Sequence, residues 1–561
     1  MRLSGAEIII RSLEREGIEV VAGIPGGANL PLYNALHKSR IRHILARHEQ
    51  GAGFIAHGMA RSTGKPAVCF ATSGPGVTNL LTAIADAKLD SVPLVAVTGQ
   101  VPTSLIGTDA FQEVDTYSMT IPITKHNFLA RSAAELPSIM TEAFSVATAG
   151  RPGPVVVDVP KDVQLEKAEV EEWPEAGRTA APLPLDISAI RRAARMINEA
   201  KRPVIYGGGG ITGSGAHESM YLLAKKNGLP AALTLMGLGS FLPDDPLYLG
   251  MLGMHGAMST NMALEEADLL LALGVRFDDR AVGNVKHFCP HASIIHVDID
   301  EAEIDKIKRV DLSVRGDLGA ILKTLLPLVE RNERKDWMRR IAELRRVHAS
   351  GGFDGGDGLH PMSILKALHA AAPEDAIITT DVGQHQMWVA QSYPFRHPRS
   401  LLTSGGLGTM GFGLPAAIGA SLANPGRRIV CVSGDGSLQM NIQEMATLAE
   451  LGLPVVVVLF NNGHLGLVRQ QQEMFYEKNY IASKFSYRLD FSAIGRGFGI
   501  KGHRVNHASS LPAALSEAFR CDGPSIVDIS VDERQNVLPI VPPGAANRDM
   551  IGGGAYEEYS C

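Results

Sequence analysis

Short apolar runs recur along the chain, each followed by a helix-length stretch whose apolar residues fall on one face. Such runs occupy residues 67–71, 94–98, 155–159, 203–206, 269–273, 294–297, 429–432 and 454–459. Strands that alternate with helices are the mark of parallel sheets, because the crossover between parallel neighbours needs a helix. Two stretches break the alternation: residues 166–186, rich in Glu, Pro and Ala, and residues 348–358, which contain GGFDGGDG. Both read as linkers. They divide the chain into a first block (1–165), a middle block (187–335), a third block (359–540) and a tail (541–561). The predicted fold class is α/β, with one parallel sheet in each block.

The first and third blocks echo each other. CFATSGPG (69–76) leads through a helix-length segment to Pro93 and LVAVTGQ, while CVSGDGS (431–437) leads similarly to Pro454 and VVVVLFNN. Only the second copy has an acid in its turn, Asp435, so only that copy is expected to hold a metal.

Composition narrows the function. A chain of 561 residues exceeds a single core. With 45% hydrophobic residues, 20% charged residues and a formal charge of −6, it has no basic surface for nucleic acid or anionic membrane, so a small-molecule substrate is expected. Cys69, Cys289, Cys431, Cys521 and Cys561 are scattered and never spaced as CxxC, which disfavours disulfides and zinc. The apolar run 455–460 is far below the ~20 residues of a membrane span. Residues 1–17 read as an amphipathic helix carrying Glu7, Glu14 and Glu16, unlike a signal or transit peptide, so a cytoplasmic protein is expected.

The strongest chemical signal is Gly434, Asp435, Gly436 and Ser437 at a strand end, then a helical stretch (438–451), a second strand, and Asn461 and Asn462. Both strand ends fall on the carboxyl edge of a parallel sheet, where ligands bind, so Asp435 and Asn462 converge. A carboxylate, a carboxamide oxygen and a backbone carbonyl suit Mg²⁺, which shares hard oxygen ligands with phosphates. Gly436 and Ser437 open the helix, whose N–H groups favour an anion. Either motif alone reads as an ordinary turn or strand cap; the ordered pair does not.

This pattern resembles the diphosphate-binding motif of thiamine diphosphate enzymes. Such enzymes also need a carboxylate that favours the imino tautomer of the aminopyrimidine, whose nitrogen then removes the thiazolium C2 proton. Glu49, in RHEQGAGFIAHGMARSTG (47–64), is the candidate; standing alone it would read as a helix cap. SGGLGTMGFGLPAAIGA (404–420) is a Gly-rich turn entering a helix, and Met410 within it resembles the bulky residue that bends the cofactor into a V, although Met is also a common core filler.

Over almost the whole chain the sequence is similar to the catalytic subunit of acetohydroxyacid (acetolactate) synthases, most nearly the bacterial isozyme I type of large subunit. The strings that carry the likeness include GIPGGANLPLY, SGPGVTNL, GTDAFQEVDTYS, RPGPVVVDVPKDVQ, GVRFDDRAVGN, TTDVGQHQMW, SGDGSLQMNIQE and NNGHLGLVRQQQ. The resemblance implies a pyrimidine-binding, a central flavin-binding and a diphosphate-binding domain, with thiamine diphosphate, Mg²⁺ and FAD as cofactors. It implies decarboxylation of pyruvate and ligation of the hydroxyethyl unit to a second 2-ketoacid, pyruvate or 2-ketobutyrate, in branched-chain amino acid synthesis. A homodimer or dimer of dimers with a small regulatory subunit is implied as well.

Residue by residue, the resemblance makes Glu49 the cofactor activator and gives Mg²⁺ to Asp435, Asn462 and the His464 carbonyl. Gln112, with Phe111 beside it, corresponds to the glutamine near the reacting carbon, while Lys161 and Arg280 line the substrate approach, where a cation attracts a ketoacid carboxylate. The plain alternative for these two is an ion pair, Lys161 with Asp162 or Arg280 with Asp278 or Asp279. Gly383, Gln384, His385, Gly408, Leu465 and Gly466 complete the implied thiamine diphosphate contacts, and Arg151, the stretch from His255 to Arg276 and the stretch from Asp298 to Asp317 the flavin contacts. Gly208, Gly210 and Gly213 form a GxGxxG, but the acid expected ~20 positions on is missing, so a nicotinamide site is rejected.

Two rivals share part of the pattern. Another flavin-containing thiamine enzyme, such as a pyruvate oxidase or glyoxylate carboligase, lacks the combination of RFDDR, Lys161 and Gln112; a silent nucleotide-binding relative has no use for Glu49, Asp435 and Asn462 together. Gln471 departs from the wider family pattern, which has a tryptophan there that favours 2-ketobutyrate.

Overall fold

The computed structural model describes residues 1–177, 181–348 and 359–552. The expected second linker, from residue 349 onward, and the tail from residue 553 lie outside the described residues.

Three six-stranded parallel sheets form the frame. The first contains, in chain order, Val20–Gly23, Arg42–Leu45, Ala67–Ala71, Leu94–Gln100, His126–Leu129 and Val155–Pro160. The third contains Ile377–Thr380, Leu401–Leu402, Ile429–Gly434, Val455–Asn461, Lys501–Val505 and Ser525–Ser530. Numbered by chain order within each sheet, both have the spatial order 2-1-3-4-6-5, so the echo in sequence is an echo in topology. The middle sheet, built from Pro203–Gly207, Ala231–Leu233, Tyr248–Met251, Leu269–Leu273, Ser293–Asp298 and Leu312–Arg315, has the order 3-2-1-4-5-6 of a dinucleotide-binding fold. Central strands are buried along their whole length, as Val455–Asn461 is, which explains why they read as continuous apolar runs rather than alternating ones.

The structure corrects three local expectations. Residues 1–17 are not one helix: Arg2–Ser4 is a strand paired antiparallel with Lys167–Glu169, and the helix is Gly5–Arg15. Ser4 and Glu7 form a capping box there, which stops the helix from extending backward. The expected linker 166–186 accordingly begins with a strand. Residues 438–451 are not one helix either. Asp435–Gln439 and Glu444–Leu451 are separated by a turn, because the Asn441 side chain leaves the helical path to donate to the Gly411 carbonyl at 2.8 Å and to Gln50 Oε1 at 3.0 Å.

First and third blocks meet where helix Glu49–Thr63 crosses helix Gly413–Ala423. A Cβ on Gly58 would lie 2.2 Å from the Ala416 carbonyl oxygen, and one on Gly419 would lie 1.9 Å from that of Ile55. Only glycine permits this approach. Around it Phe412 packs edge-on to Phe54 and His57, with ring centroids 5.2 and 5.0 Å away. We expect Gly419→Val to force the helices apart at a cost of about 3 kcal/mol or more, seen as a lower thermal midpoint, whereas Gly426→Ala, at an exposed turn with nothing within 4 Å, should cost less.

Candidate active site

In the third sheet the topology reverses between the first and third strands, which places Asp381 to His385 beside Gly434 to Ser437 at the carboxyl edge. Asp435 is 4% exposed. Its Oδ2 accepts the Gly463 N–H at 2.7 Å and its Oδ1 that of Gly436 at 3.0 Å. Burial pushes its carboxyl up to about 6, against the pull of these N–H groups and of Arg488. Among the described residues no cation forms an ion pair with it. Asn462 Oδ1 accepts the His464 N–H at 3.0 Å, and its Nδ2 donates to Gln384 Oε1 at 3.3 Å. A buried carboxylate without a cation, bonded to the loop that brings a carboxamide and a carbonyl, is a donor set that fits Mg²⁺.

The remaining residues assigned to this cofactor cluster around it. Gln384 Nε2 donates to Gln470 Oε1 at 3.0 Å and to the Gln535 carbonyl at 2.8 Å. His385 is buried, burial pushes its ring down to about 3 against a hydrogen bond to the Asp381 backbone, and among the described residues its Nε2 has no partner. Ser437 Oγ donates to the Val382 carbonyl. Gly383 caps the helix after the first strand, Gly436 lies under Leu465, and Gly466 opens helix Gly466–Phe475 against Gln384. Residues 484–489 and Phe491 wall a cavity of about 360 Å³ over Asp435.

Glu49 stands half-buried at the first-sheet edge, where His48 Nδ1 accepts the Gln50 N–H and caps the helix. Its Oε2 accepts from Asn79 Nδ2 at 3.0 Å, its only hydrogen bond among the described residues. Gln112 has a left-handed backbone (φ +60) and lies against Gly74, where a Cβ would be 2.7 Å from the Gln112 carbonyl oxygen. Phe111 is 88% exposed. Beneath this loop Gln100 Nε2 donates to the Val114 carbonyl at 2.9 Å and to Asp158 Oδ2 at 3.0 Å, so the loop is tied to the strand that leads into Lys161. Among the described residues Lys161 makes no ion pair, and Asp162 is taken up by Thr103.

Met410 is half-buried in a loop held by acids from two blocks. Asp86 Oδ2 accepts the hydroxyls of Ser404 at 2.5 Å and Thr409 at 2.6 Å. Asp90 accepts the N–H groups of Gly405 and Gly406 and pairs with Arg61, and Asp381 Oδ1 accepts the Gly411 N–H at 2.7 Å. Gly408 lies between these anchors with φ +71. Burial raises the Asp86 carboxyl, but His57, 3.4 Å away, and the two hydroxyls together hold it below the ordinary value. His57, Asp86 and Asp90 lie close enough together to suggest a metal site, although Asp86 Oδ2 is taken up by Ser404 and Thr409 and Asp90 by Arg61, Gly405 and Gly406.

At the switch point of the middle sheet lies a cavity of about 750 Å³. Arg151, Arg276, Asp298 and Asp317 line it, in keeping with the sequence reading. Gly208, Gly210 and Gly213, set aside as a nicotinamide fingerprint, line it too, together with Arg61 and Arg399. Gly208 and Gly210 pack against Gly274, where a Cβ on either would fall within 2.6 Å of its backbone. Size, glycine turns and arginines fit a dinucleotide of the FAD type. Asp317 also caps helix Leu318–Leu325.

Three residues lie apart from these clusters. His255 is buried with Nδ1 3.3 Å from the Pro539 carbonyl and does not line the cavity; burial pushes it down to about 4. Arg280 is largely exposed and 3.6 Å from Asp279, the ion pair named as its alternative, with the Met254 N–H on its carbonyl. Gln471 is exposed on helix Gly466–Phe475, whereas its neighbour Gln470 is buried and bonds both the N–H and carbonyl of Val537. Sequence reading missed Gln470, Asp86 and Asp381; an acid inside a helix signals a partner, but Asp86 meets Ser404 across 318 positions.

Comparison with known proteins agrees with this geometry. Residues 3–119 match the N-terminal TPP binding domain of thiamine pyrophosphate enzymes, 190–325 their central domain and 381–529 their C-terminal TPP binding domain. The chain belongs to the thiamine pyrophosphate enzymes, and within them to the acetolactate synthase large subunits. It is 55% identical to the acetolactate synthase isozyme 1 large subunit of Escherichia coli over 98% of both chains. It is 46% identical to the isozyme 2 large subunit of the same organism, over 98% of this chain and 99% of that one. To the acetolactate synthase large subunit of Corynebacterium glutamicum it is 45% identical, over 98% and 90% respectively. Among the described residues no helix is long and apolar enough to cross a membrane.

Asp86→Ala would strand two buried hydroxyls and His57. We expect a loss of on the order of 3 kcal/mol in stability and weaker thiamine diphosphate retention, read by thermal melting with and without the cofactor. An unchanged midpoint in both conditions would contradict the role of Asp86 as the anchor of the Met410 loop.

Proposed function

We propose that this acetolactate synthase uses Mg²⁺ and FAD beside thiamine diphosphate and ligates the unit left by pyruvate to either pyruvate or 2-ketobutyrate. It works in the cytoplasm as a homodimer or dimer of dimers with a small regulatory subunit. The observation that carries the reading is Asp435, buried without a cation and bonded to the loop that presents Asn462. Bound thiamine diphosphate supplies the nucleophilic carbon and the electron sink.

The chain's own residues do the rest. Asp435, Asn462 and the His464 carbonyl hold Mg²⁺, and the helix start at Gly436 and Ser437 with His385 takes the diphosphate. Glu49 shares a proton with the aminopyrimidine ring nitrogen and so keeps the neighbouring nitrogen basic. Met410 supports the bent cofactor. Lys161 and Arg280 draw the ketoacid carboxylate, which Arg280 is free to grip because its contact with Asp279 is solvent-exposed and weak. Gln112 and Phe111 would close over the reacting centre and help exclude water there, so that the second ketoacid reacts instead of a proton. The exposure of Phe111 and the bare edge around Glu49 support completion of each site by a second copy of the chain. The middle cavity takes FAD, with Arg151 and Arg276 beside it, for a structural rather than a net redox use.

Glu49→Gln should keep the fold and the Mg²⁺ dependence of cofactor binding but lose most turnover, since an amide cannot share that proton; near-normal initial rates in saturating cofactor would remove Glu49 from this role. Gln471 offers a second ketoacid less apolar area than a tryptophan, so the preference for 2-ketobutyrate should be small. Gln471→Trp should raise it by a factor in the range of about 10 to 200, the worth of one methylene in an apolar pocket. The check is the ratio of acetohydroxybutyrate to acetolactate formed from mixed ketoacids; a strong preference in the parent, unchanged by the substitution, would show that Gln471 does not set specificity.

A further inference from the structure

Strand Arg42–Leu45 ends a few residues before helix Glu49–Thr63 begins, and the N–H groups of the turn between them have no helical acceptor of their own. Those of Arg47 and His48 go to the third block. Glu444 Oε1 accepts them at 2.9 and 3.1 Å, while Glu444 Oε2 accepts the Thr447 hydroxyl at 2.7 Å. Glu444 is fully buried at the start of helix Glu444–Leu451, and burial raises its carboxyl against the pull of these donors. The Arg47 guanidinium favours its charge from nearby but makes its direct ion pair with Glu450. A Cβ on Gly51 would lie 2.3 Å from Glu444 Oε1, so the absence of a side chain at 51 is what lets the carboxylate reach the turn. One position after Glu49, the Gln50 side chain accepts from Asn441, which also bonds the Gly411 carbonyl next to Met410.

We propose that Glu444 is a positioning residue for Glu49: its carboxylate, reaching across from the third block, fixes the turn that aims the Glu49 side chain. The inference rests on the reading of Glu49 as the group that shares a proton with the cofactor. Among the described residues the Glu49 side chain has one hydrogen-bond partner, Asn79, so its direction rests largely on its backbone, and two N–H groups of the turn before it end on Glu444. The same carboxylate stands nine positions from Asp435 along the chain, joined to it by a short helix and a turn. Movement at the metal-side residue is thereby felt at the turn before Glu49.

Four variants and two readouts test this. In Glu444→Ala the Arg47 and His48 amides of the cofactor-free protein should exchange hydrogen faster, and the C2 proton of bound thiamine diphosphate, followed by quenched NMR, should exchange about tenfold more slowly or worse. Glu444→Gln keeps an amide oxygen for both N–H groups and should restore the C2 rate to near the parental value, which a role for the charge alone would not allow. Gly51→Ala displaces the carboxylate by a methyl and should slow C2 exchange as Glu444→Ala does; it serves as the deciding variant if Glu444→Ala does not fold. Glu49→Gln separates the two readings. Parental C2 exchange in folded Glu444→Ala or Gly51→Ala, with exchange slowed in Glu49→Gln, overturns the role of Glu444. Parental exchange in Glu49→Gln overturns the assignment of Glu49 and the proposal with it.

Discussion

The glycine-mediated crossing of helices Glu49–Thr63 and Gly413–Ala423 is the constraint on which the rest of the structure depends. With Gly58 against Ala416 and Gly419 against Ile55, the two backbones approach to a separation that no side chain permits. Each helix is continuous with a chemical element: one begins at Glu49, and the other follows Met410. Close packing makes the pair rigid, because a dense interior transmits a displacement instead of absorbing it. A shift at the crossing therefore moves both elements.

Carboxylates complete what the glycines begin. Asp86 reaches from the first block to the loop before Met410, Asp381 ties the far side of that loop, and Glu444 returns from the third block to the turn before Glu49. All three are buried, and all three end on hydroxyls or backbone N–H groups rather than on Lys or Arg side chains, with His57 beside Asp86. Burying a carboxylate is costly unless its lone pairs are filled, so these acids are worth keeping only where the groups they hold must stay in place. Asp435 is different: its oxygens take two N–H groups and still face a cavity, as a metal ligand requires.

Much of this is legible in the chain. Central strands such as Val455–Asn461 announce themselves as unbroken apolar runs, and Asp435 and Asn462 are read together because both follow strands whose ends share an edge. The echo between CFATSGPG and CVSGDGS is visible without the common strand order that explains it. What escapes is whatever depends on distant partners. Helix 438–451 breaks because Asn441 bonds Gly411 and Gln50, one 30 and the other 391 positions away. The first residues form a strand because residues 167–169 lie alongside them. The acid missing after GxGxxG speaks to nicotinamide recognition and not to whether those glycines line a cavity. Arg280, Phe111 and Gln471 are exposed in the single chain, so nothing packed against them there fixes the roles the sequence suggests.

On the proposed reading one chain carries halves of two sites: its interior crossing joins the Glu49 and Met410 elements, but no hydrogen bond or ion pair links the Glu49 side chain to the third block among the described residues. That reading has the Glu49 block of one copy face the Asp435 block of another. The direct measurement mixes two inactive parents, Glu49→Gln and Asp435→Ala, under conditions that let subunits exchange, and follows acetolactate formation from pyruvate. Mixed dimers contain one site with both residues intact, so activity should rise well above that of either parent, towards a quarter of the parental value in an equal mixture. Mixed dimers that form but stay as inactive as the parents would contradict a site shared between two copies.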